Sequence, residues 1–290
     1  MNVLSLFDGI SCGQIALNRA GIKYDNYFAS EIDKHAIKVT QHNYPNTIQL
    51  GDVTQIKASD LPKIDLLIGG SPCQGFSFIG KGLNFEDERS KLFFEFVRLL
   101  KATSPTYFLL ENVKMKKEHQ SIITEYLSVS PIELNSSLFS AQNRKRLYWT
   151  NISYESVFPN KSHSIESILE DSVSEEYYLT ETQQSKLNLD FSWKENEIIT
   201  HKGGKHQQDT IYRYDGIIGC LSASHHGAAR HLTKTYMKDG RIRRLTEIEC
   251  ERLQSVPDNF TMGVSSSKRY EMLGNGWTVD VIAHIFKGLL

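Results

Sequence analysis

The residue whose setting most suggests chemistry is Cys73, in the run Gly69-Gly70-Ser71-Pro72-Cys73-Gln74-Gly75-Phe76-Ser77. The apolar stretch Ile64–Ile68 precedes it and reads as a buried strand, so the run falls at the carboxyl edge of a sheet, where α/β folds bind ligands. Pro72 fixes its own φ and holds Ser71 extended, and the flanking glycines permit the close approach of a planar substrate. A thiol displayed in this way is a candidate nucleophile, but at an ordinary pKa of ~8.5 little of it is thiolate at neutral pH. It needs positive charge or a proton acceptor beside it, and two runs supply candidates. Tyr107–Leu110 reads as a strand ending in Glu111-Asn112-Val113, which puts a carboxylate on the same edge. Gln142-Asn143-Arg144-Lys145-Arg146 opens a strand in which alternation sends Arg144 and Arg146 to one side. A two-arginine face beside a thiol is an anion-stabilising arrangement.

A second set of residues suits a nucleoside ligand. The first apolar run, Val3–Phe7, leads into Asp8-Gly9-Ile10-Ser11-Cys12-Gly13 and then a helix, a turn whose free N–H groups can meet an anionic group. The next strand ends in Glu31, 22 residues beyond Gly9, the spacing at which an acid commonly bonds a ribose hydroxyl pair. Gly51-Asp52-Val53 follows in the third strand region, and the Asp52 carboxylate can accept from an adenine amino group.

The elements that must position these residues are written in the alternation of short apolar runs with helix-length amphipathic segments. Strands are predicted at Val3–Phe7, Tyr27–Ser30, Ile64–Ile68, Tyr107–Leu110, Ile132–Leu138 and Leu147–Trp149. Helices are predicted at Ile15–Ala20, Ala36–His42, Lys91–Lys101 and Lys116–Leu127. This βαβ rhythm predicts an α/β, doubly wound sheet. After Trp149 it gives way to a polar stretch, and regular structure returns where Thr246 and Glu249 make a capping box ahead of a helix over Glu247–Gln254. Val279–Leu290 reads as a closing helix. The domains expected are a core over residues 1–150, a smaller domain over 151–240 and a core-completing segment over 241–290.

Composition narrows the class. No apolar run of about 18 residues is present and the N-terminus lacks a basic segment and a cleavage site, so neither a membrane nor secretion is expected and the location expected is cytoplasmic. The four cysteines have neither metal-finger spacing nor the density of a disulfide scaffold. The net charge of −1 hides an asymmetry: residues 155–197 carry ten acids against three lysines, while residues 202–244 carry nine bases against three acids. A nucleic-acid backbone can sit on the second stretch. His201, His206, His225, His226 and His231 fall in the same region; without cysteine partners they predict no metal site.

Taken in order, Pro72-Cys73-Gln74, Glu111-Asn112-Val113, Gln142-x-Arg144-x-Arg146, the Arg244-Leu245-Thr246 helix start and the Gly274-Asn275-Gly276 turn resemble the cytosine-5 DNA methyltransferase family over nearly all of the chain apart from its middle. The resemblance implies a Rossmann-like core that binds S-adenosylmethionine, with a target-recognition domain over about Ile152–Gly240. It implies that Cys73 adds to C6 of a flipped-out cytosine in double-stranded DNA while Glu111 binds N3 and the exocyclic amine. Arg146 is implied as an active-site contact, supported by Arg144 and Gln142. Phe7, Asp8, Gly9, Glu31, Ile32, Asp52, Val53, Pro72, Asn275, Gly276 and Trp277 are implied to line the cofactor pocket. A monomer is expected, with a cognate restriction endonuclease acting separately. Asp8 and Cys12 stand where the family commonly has small residues, and Trp277 where it has a small aliphatic one, so pocket contacts are expected to differ in detail. A nicotinamide oxidoreductase accounts for Gly9 and Glu31 but leaves Cys73 and the arginine run without a role. A silent DNA-binding protein accounts only for the basic region. A tRNA-directed relative is the nearest alternative, but its Cys-Phe-Thr signature is absent.

Overall fold

Asn2–Leu6 forms β1, whose residues from Val3 onward are all buried, as a strand covered on both faces requires. The chain continues through α1 (Cys12–Arg19), β2 (Asn26–Ser30), α2 (Lys34–Asn43), β3 (Ile48–Gln49), β4 (Leu66–Gly70), α3 (Glu88–Thr103), β5 (Tyr107–Val113), α4 (Lys117–Leu127), β6 (Ile132–Asn135) and β7 (Lys145–Thr150). The computed structural model describes residues 1–71, 88–159, 162–185, 189–194, 198–201, 210–223, 234–237 and 239–290. These fall into two units, one from Met1–Leu134, Lys145–Ser156 and Val279–Leu290, the other from Asn135–Arg144 and Val157–Thr278.

The seven strands make one sheet in the order β3-β2-β1-β4-β5-β7-β6. β1 pairs in parallel with both β2 and β4, so the chain winds outward to β3, then crosses back to build β4 and β5 on the other side. The switch point lies where β1 and β4 end, with Leu6 opposite Gly69. Alternation sends Leu4 and Leu6 into a cluster with Phe93 and Phe96 of α3 and Ile123 of α4. Val3 and Ser5 face the other way, as does Tyr27, which pairs with Val3. α1 lies over that second face, because a Cβ on Gly13 would meet Tyr27 Oη at 2.6 Å and Ile68 Cδ1 at 2.5 Å. Helices thus cover both faces, as a doubly wound sheet demands.

The second unit contains α5 (Glu181–Ser185) and a five-stranded sheet ordered β12-β11-β10-β9-β8, from β8 (Leu189–Lys194), β9 (Ile198–His201), β10 (Thr210–Arg213), β11 (Lys234–Tyr236) and β12 (Ile242–Arg244). α6 (Glu247–Leu253) and α7 (Ser266–Asn275) follow. The capping box at Thr246 and Glu249 is formed, and Glu249 also takes both guanidinium ends of Arg243, at 2.6 and 2.7 Å, with both side chains buried. Removing one member of such a pair costs about 3–5 kcal/mol, because the other charge stays buried. The chain then re-enters the first unit as α8 (Val279–Phe286), which packs on α1 and joins it through an Arg19–Asp280 ion pair at 2.6 Å.

Two expected elements are subdivided: Ile132–Leu138 becomes β6 and a 3-10 turn over Ser136–Leu138, and Val279–Leu290 ends in a 3-10 turn over Lys287–Leu289. Gly274-Asn275-Gly276, read as a turn, is the end of α7 with Gly276 as its C-cap. Among the described residues no helix is long and apolar enough to cross a membrane. Gly13→Ala is expected to lower stability by about 1–3 kcal/mol in urea denaturation, since its methyl would press on the phenol of Tyr27 and the Ile68 side chain.

Candidate functional site

The loop after β1 departs from ordinary backbone three times, with φ of 57° at Phe7, 58° at Gly9 and 58° at Ser11. Glycine accepts this geometry freely, whereas at Phe7 and Ser11 it costs on the order of 1 kcal/mol each. Such conformations persist where the surroundings enforce them, and they cluster at functional sites. Here the loop is tied to the end of β2: Asp8 N donates to Ser30 O at 3.0 Å, and Gly9 N to Glu31 Oε2 at 2.7 Å. Glu31 Oε1 accepts from the amides of Ile32 and Asp33 at 2.7 and 2.8 Å, so the carboxylate is held in one orientation. Ile32 beside it is 77% exposed, an apolar side chain left facing outward next to an oriented acid. Ser30 Oγ donates to Gly51 O at 2.7 Å and brings in the third loop, where Asp52 caps Thr54 N at 2.9 Å and Val53 is buried. An oriented carboxylate with an exposed aliphatic neighbour fits a ribose diol and an adenine face, so the residues present suit an adenosine-type cofactor.

Asp8 has its side chain turned inward. Its Oδ1 accepts from Tyr27 Oη at 2.8 Å and its Oδ2 from Ser11 Oγ. Gln14 Nε2 donates in turn to Ser11 Oγ at 3.1 Å and to Thr47 Oγ1 at 2.8 Å. The carboxylate is committed to supporting the loop. Burial pushes its pKa up to about 6, against the lowering effect of hydrogen bonds from Ser11, Ser5 and Tyr27, and the nearby Glu31 charge adds to the rise.

At the other side of the switch point, β5 pairs with β4 so that Glu111 lies opposite Gly70. Asn112 Nδ2 donates to Ser71 O and Ser71 Oγ at 3.3 and 3.2 Å, fixing the chain just before the Pro72-Cys73-Gln74 run. Pro72 and Cys73 themselves lie outside the described residues. β7 runs antiparallel to β5 with Arg146 opposite Val113 and Tyr148 opposite Glu111, which makes Glu111 and Arg146 diagonal neighbours on one face. Arg146 Nε meets Glu111 Oε1 at 3.0 Å, and the two side chains are only 14% and 11% exposed.

Arg144 departs from the alternation. β7 begins at Lys145, and the Arg144 guanidinium is committed to the second unit, donating to Leu221 O at 3.1 Å, Gly274 O at 3.2 Å and Gly276 O at 2.8 Å. The two arginines therefore do not form one face: Arg146 pairs with Glu111, and Arg144 binds main-chain carbonyls. Asn275 ends α7, Gly276 caps it and Trp277 follows, all in the second unit. Of the clustered histidines, His206, His225, His226 and His231 lie outside the described residues. Tyr27 and Gln14 form part of the loop's support and carry no motif, since a buried tyrosine in a strand reads simply as core.

A family model for C-5 cytosine-specific DNA methylases matches residues 1–290. The type II methyltransferase M1.ScrFI of Lactococcus lactis subsp. cremoris is 32% identical over 304 residues, which span 99% of this chain and 77% of that protein. The orphan methyltransferase M.SPRI of Bacillus phage SPR is 28% identical over 428 residues, spanning 100% of this chain and 97% of its own. Among solved structures, the Dnmt2 methyltransferase of S. pombe is similar with a TM-score of 0.77 at 21% identity, covering 99% of this chain and 97% of that one. A likeness at that identity is a likeness of fold.

The raised pKa of Asp8 has a consequence for stability. Its neutral form is favoured by folding, so the contribution is fully present below about pH 4 and is lost as pH rises through about 6. Asp8→Asn keeps the shape without the charge. Urea denaturation across pH 4 to 8 is expected to show a decline of roughly 3 kcal/mol in the parent chain that the variant lacks.

Proposed function

The chain belongs to the family of C-5 cytosine-specific DNA methylases, and from that premise we propose how this molecule performs the family's reaction. It is a DNA (cytosine-5-)-methyltransferase that acts within a specific double-stranded sequence through a covalent adduct between Cys73 and a flipped-out cytosine. The observation that carries this reading is the Glu111–Arg146 pair, held at the carboxyl edge of the sheet opposite the strand that leads into Pro72-Cys73-Gln74.

A cytosine stacked in a duplex cannot offer C6 to a thiol, so the base must leave the stack at a cost of a few kcal/mol. Cys73 then forms the S–C6 bond. Glu111, oriented by Arg146, binds N3 and the exocyclic amine and favours the build-up of negative charge at C5. C5 takes the methyl group that the cofactor would supply, with S-adenosylhomocysteine as the leaving group, and loss of the C5 proton to a base with cleavage of the S–C6 bond then restores the ring and frees Cys73. Members of the family use S-adenosylmethionine, which when bound supplies an electrophilic methyl group. Glu31, Ile32 and Asp52, together with the backbone of Phe7 to Gly9 and Val53, would hold its nucleoside part; Pro72 and Asn275 to Trp277 are the further cofactor contacts that the family resemblance implies. The second unit, whose stretch 202–244 is basic, would grip the duplex. As a monomer in the cytoplasm of a bacterium or phage-infected cell, the enzyme would modify DNA alongside a separately acting restriction endonuclease, a role supported by its type II relative.

Two measurements test this. The protein is incubated with tritiated S-adenosylmethionine and unmethylated genomic DNA beside a Cys73→Ala variant, and modified cytosines are mapped by bisulfite sequencing. Label at one short motif, absent with Cys73→Ala, is expected; label on tRNA instead of DNA would overturn the reading. Glu111→Gln is expected to lower kcat by roughly 10²- to 10⁴-fold while leaving S-adenosylmethionine affinity near its original value.

A further inference from the structure

Gln254 closes α6 and is 1% exposed, and every hydrogen-bonding position of its amide is used. Nε2 donates to Leu273 O at 2.7 Å and to Gly276 O at 3.3 Å. Oε1 accepts from Thr278 Oγ1 at 2.7 Å and from Gln142 Nε2 at 3.3 Å. The carbonyls it holds lie on either side of Asn275. Arg144 grips the same stretch from a different part of the chain, so that Gly276 O accepts from both residues. Gln142 and Arg144 are in turn fixed against Leu221, whose N–H donates to Gln142 Oε1 at 2.9 Å and whose carbonyl accepts from Arg144 at 3.1 Å.

The end of a helix explains why such a clamp is needed. The last carbonyls of α7 have no partners within the helix, and buried carbonyls must find them elsewhere. A guanidinium at this end also complements the negative pole of the helix. Gly274 leaves no slack, because a Cβ there would lie 2.4 Å from Ala223 N. With its carbonyls taken and its path walled, the backbone through Asn275 and Gly276 has one way to leave the helix, with Gly276 at φ −66° and ψ 168°.

We infer that Gln254 is a positioning residue that, with Gln142 and Arg144, sets the Asn275–Trp277 segment in the conformation that receives S-adenosylmethionine. This rests on the reading that the segment lines the cofactor pocket. It divides the labour of the run at 142–146: Gln142 and Arg144 serve the cofactor segment, and Arg146 serves the carboxylate that meets the base.

The test uses the full-length chain. Gln254→Glu keeps the side chain's shape but turns a carboxylate oxygen toward the two carbonyls that Nε2 now holds. Equilibrium dialysis with S-adenosylmethionine is expected to show affinity weakened by roughly tenfold or more. KM for the cofactor should rise in parallel, while kcat at saturating cofactor and KM for DNA stay within about twofold. Thermal melting establishes that the variant is folded; should it not fold, Thr278→Val, which removes one of the two donors to Oε1 together with the acceptor of Ser136 Oγ, is measured in the same way with a smaller rise expected. A folded variant with unaltered cofactor affinity, or one that loses kcat at saturating cofactor with KM unchanged, would overturn the inference. Trp277→Ala separates the two readings. If it leaves cofactor affinity unchanged, the pocket reading fails; if it weakens affinity while Gln254→Glu and Thr278→Val do not, the clamp alone fails.

Discussion

Parallel pairing of β1 with β2 on one side and β4 on the other is the constraint on which the first unit depends. A parallel strand needs a crossover, and two crossovers running in opposite directions from one strand leave a gap at its carboxyl end. Into that edge come the loop after β1, the acid that ends β2 and the chain that leaves β4. None of these segments carries a complete site by itself. The pairing register converts residues far apart in sequence into neighbours, with Leu6 opposite Gly69 and Gly70 opposite Glu111.

Around that edge the protein invests in buried polar contacts. Glu31 is held by three amides, Asp8 by a phenol and a serine, and Glu111 by Arg146. For Glu31 and Glu111 these contacts fix the orientation of a carboxylate at the edge, while for Asp8, turned inward, they support the loop itself. The left-handed conformations at Phe7 and Ser11 belong to the same economy of strain, tolerated because the loop is anchored on both sides. In the second unit the same principle operates on helix ends, where Arg243 and Glu249 lock the start of α6 and Gln254 with Arg144 locks the end of α7.

Much of the first unit was legible because buried parallel strands are short continuous apolar runs, and their ends are marked by glycine and acid. Val3–Phe7, Tyr27–Ser30 and Tyr107–Leu110 each match an observed strand to within a few residues. The second unit was less legible. Its strands are short and set in polar sequence, so alternation carries little signal, and α7 ends in two glycines and an asparagine that mimic a turn. Arg144 shows the limit of local pattern: one residue before the strand begins, alternation no longer applies, and the side chain follows the nearest unsatisfied carbonyls.

The sequence by itself determined the chemical vocabulary, namely a cysteine between a proline and a glutamine, an acid at a strand end and an arginine run. It also determined the α/β class, since the period of apolar residues is a property of the chain alone. Tertiary structure decided the pairing. Only the antiparallel register of β5 and β7 makes Glu111 a diagonal partner of Arg146, and only the fold of the second unit gives Arg144 and Gln254 the same carbonyl. The reason is physical: a hydrogen bond or ion pair between residues distant in sequence is fixed by where the backbone carries them, and the local pattern of side chains holds no record of that path.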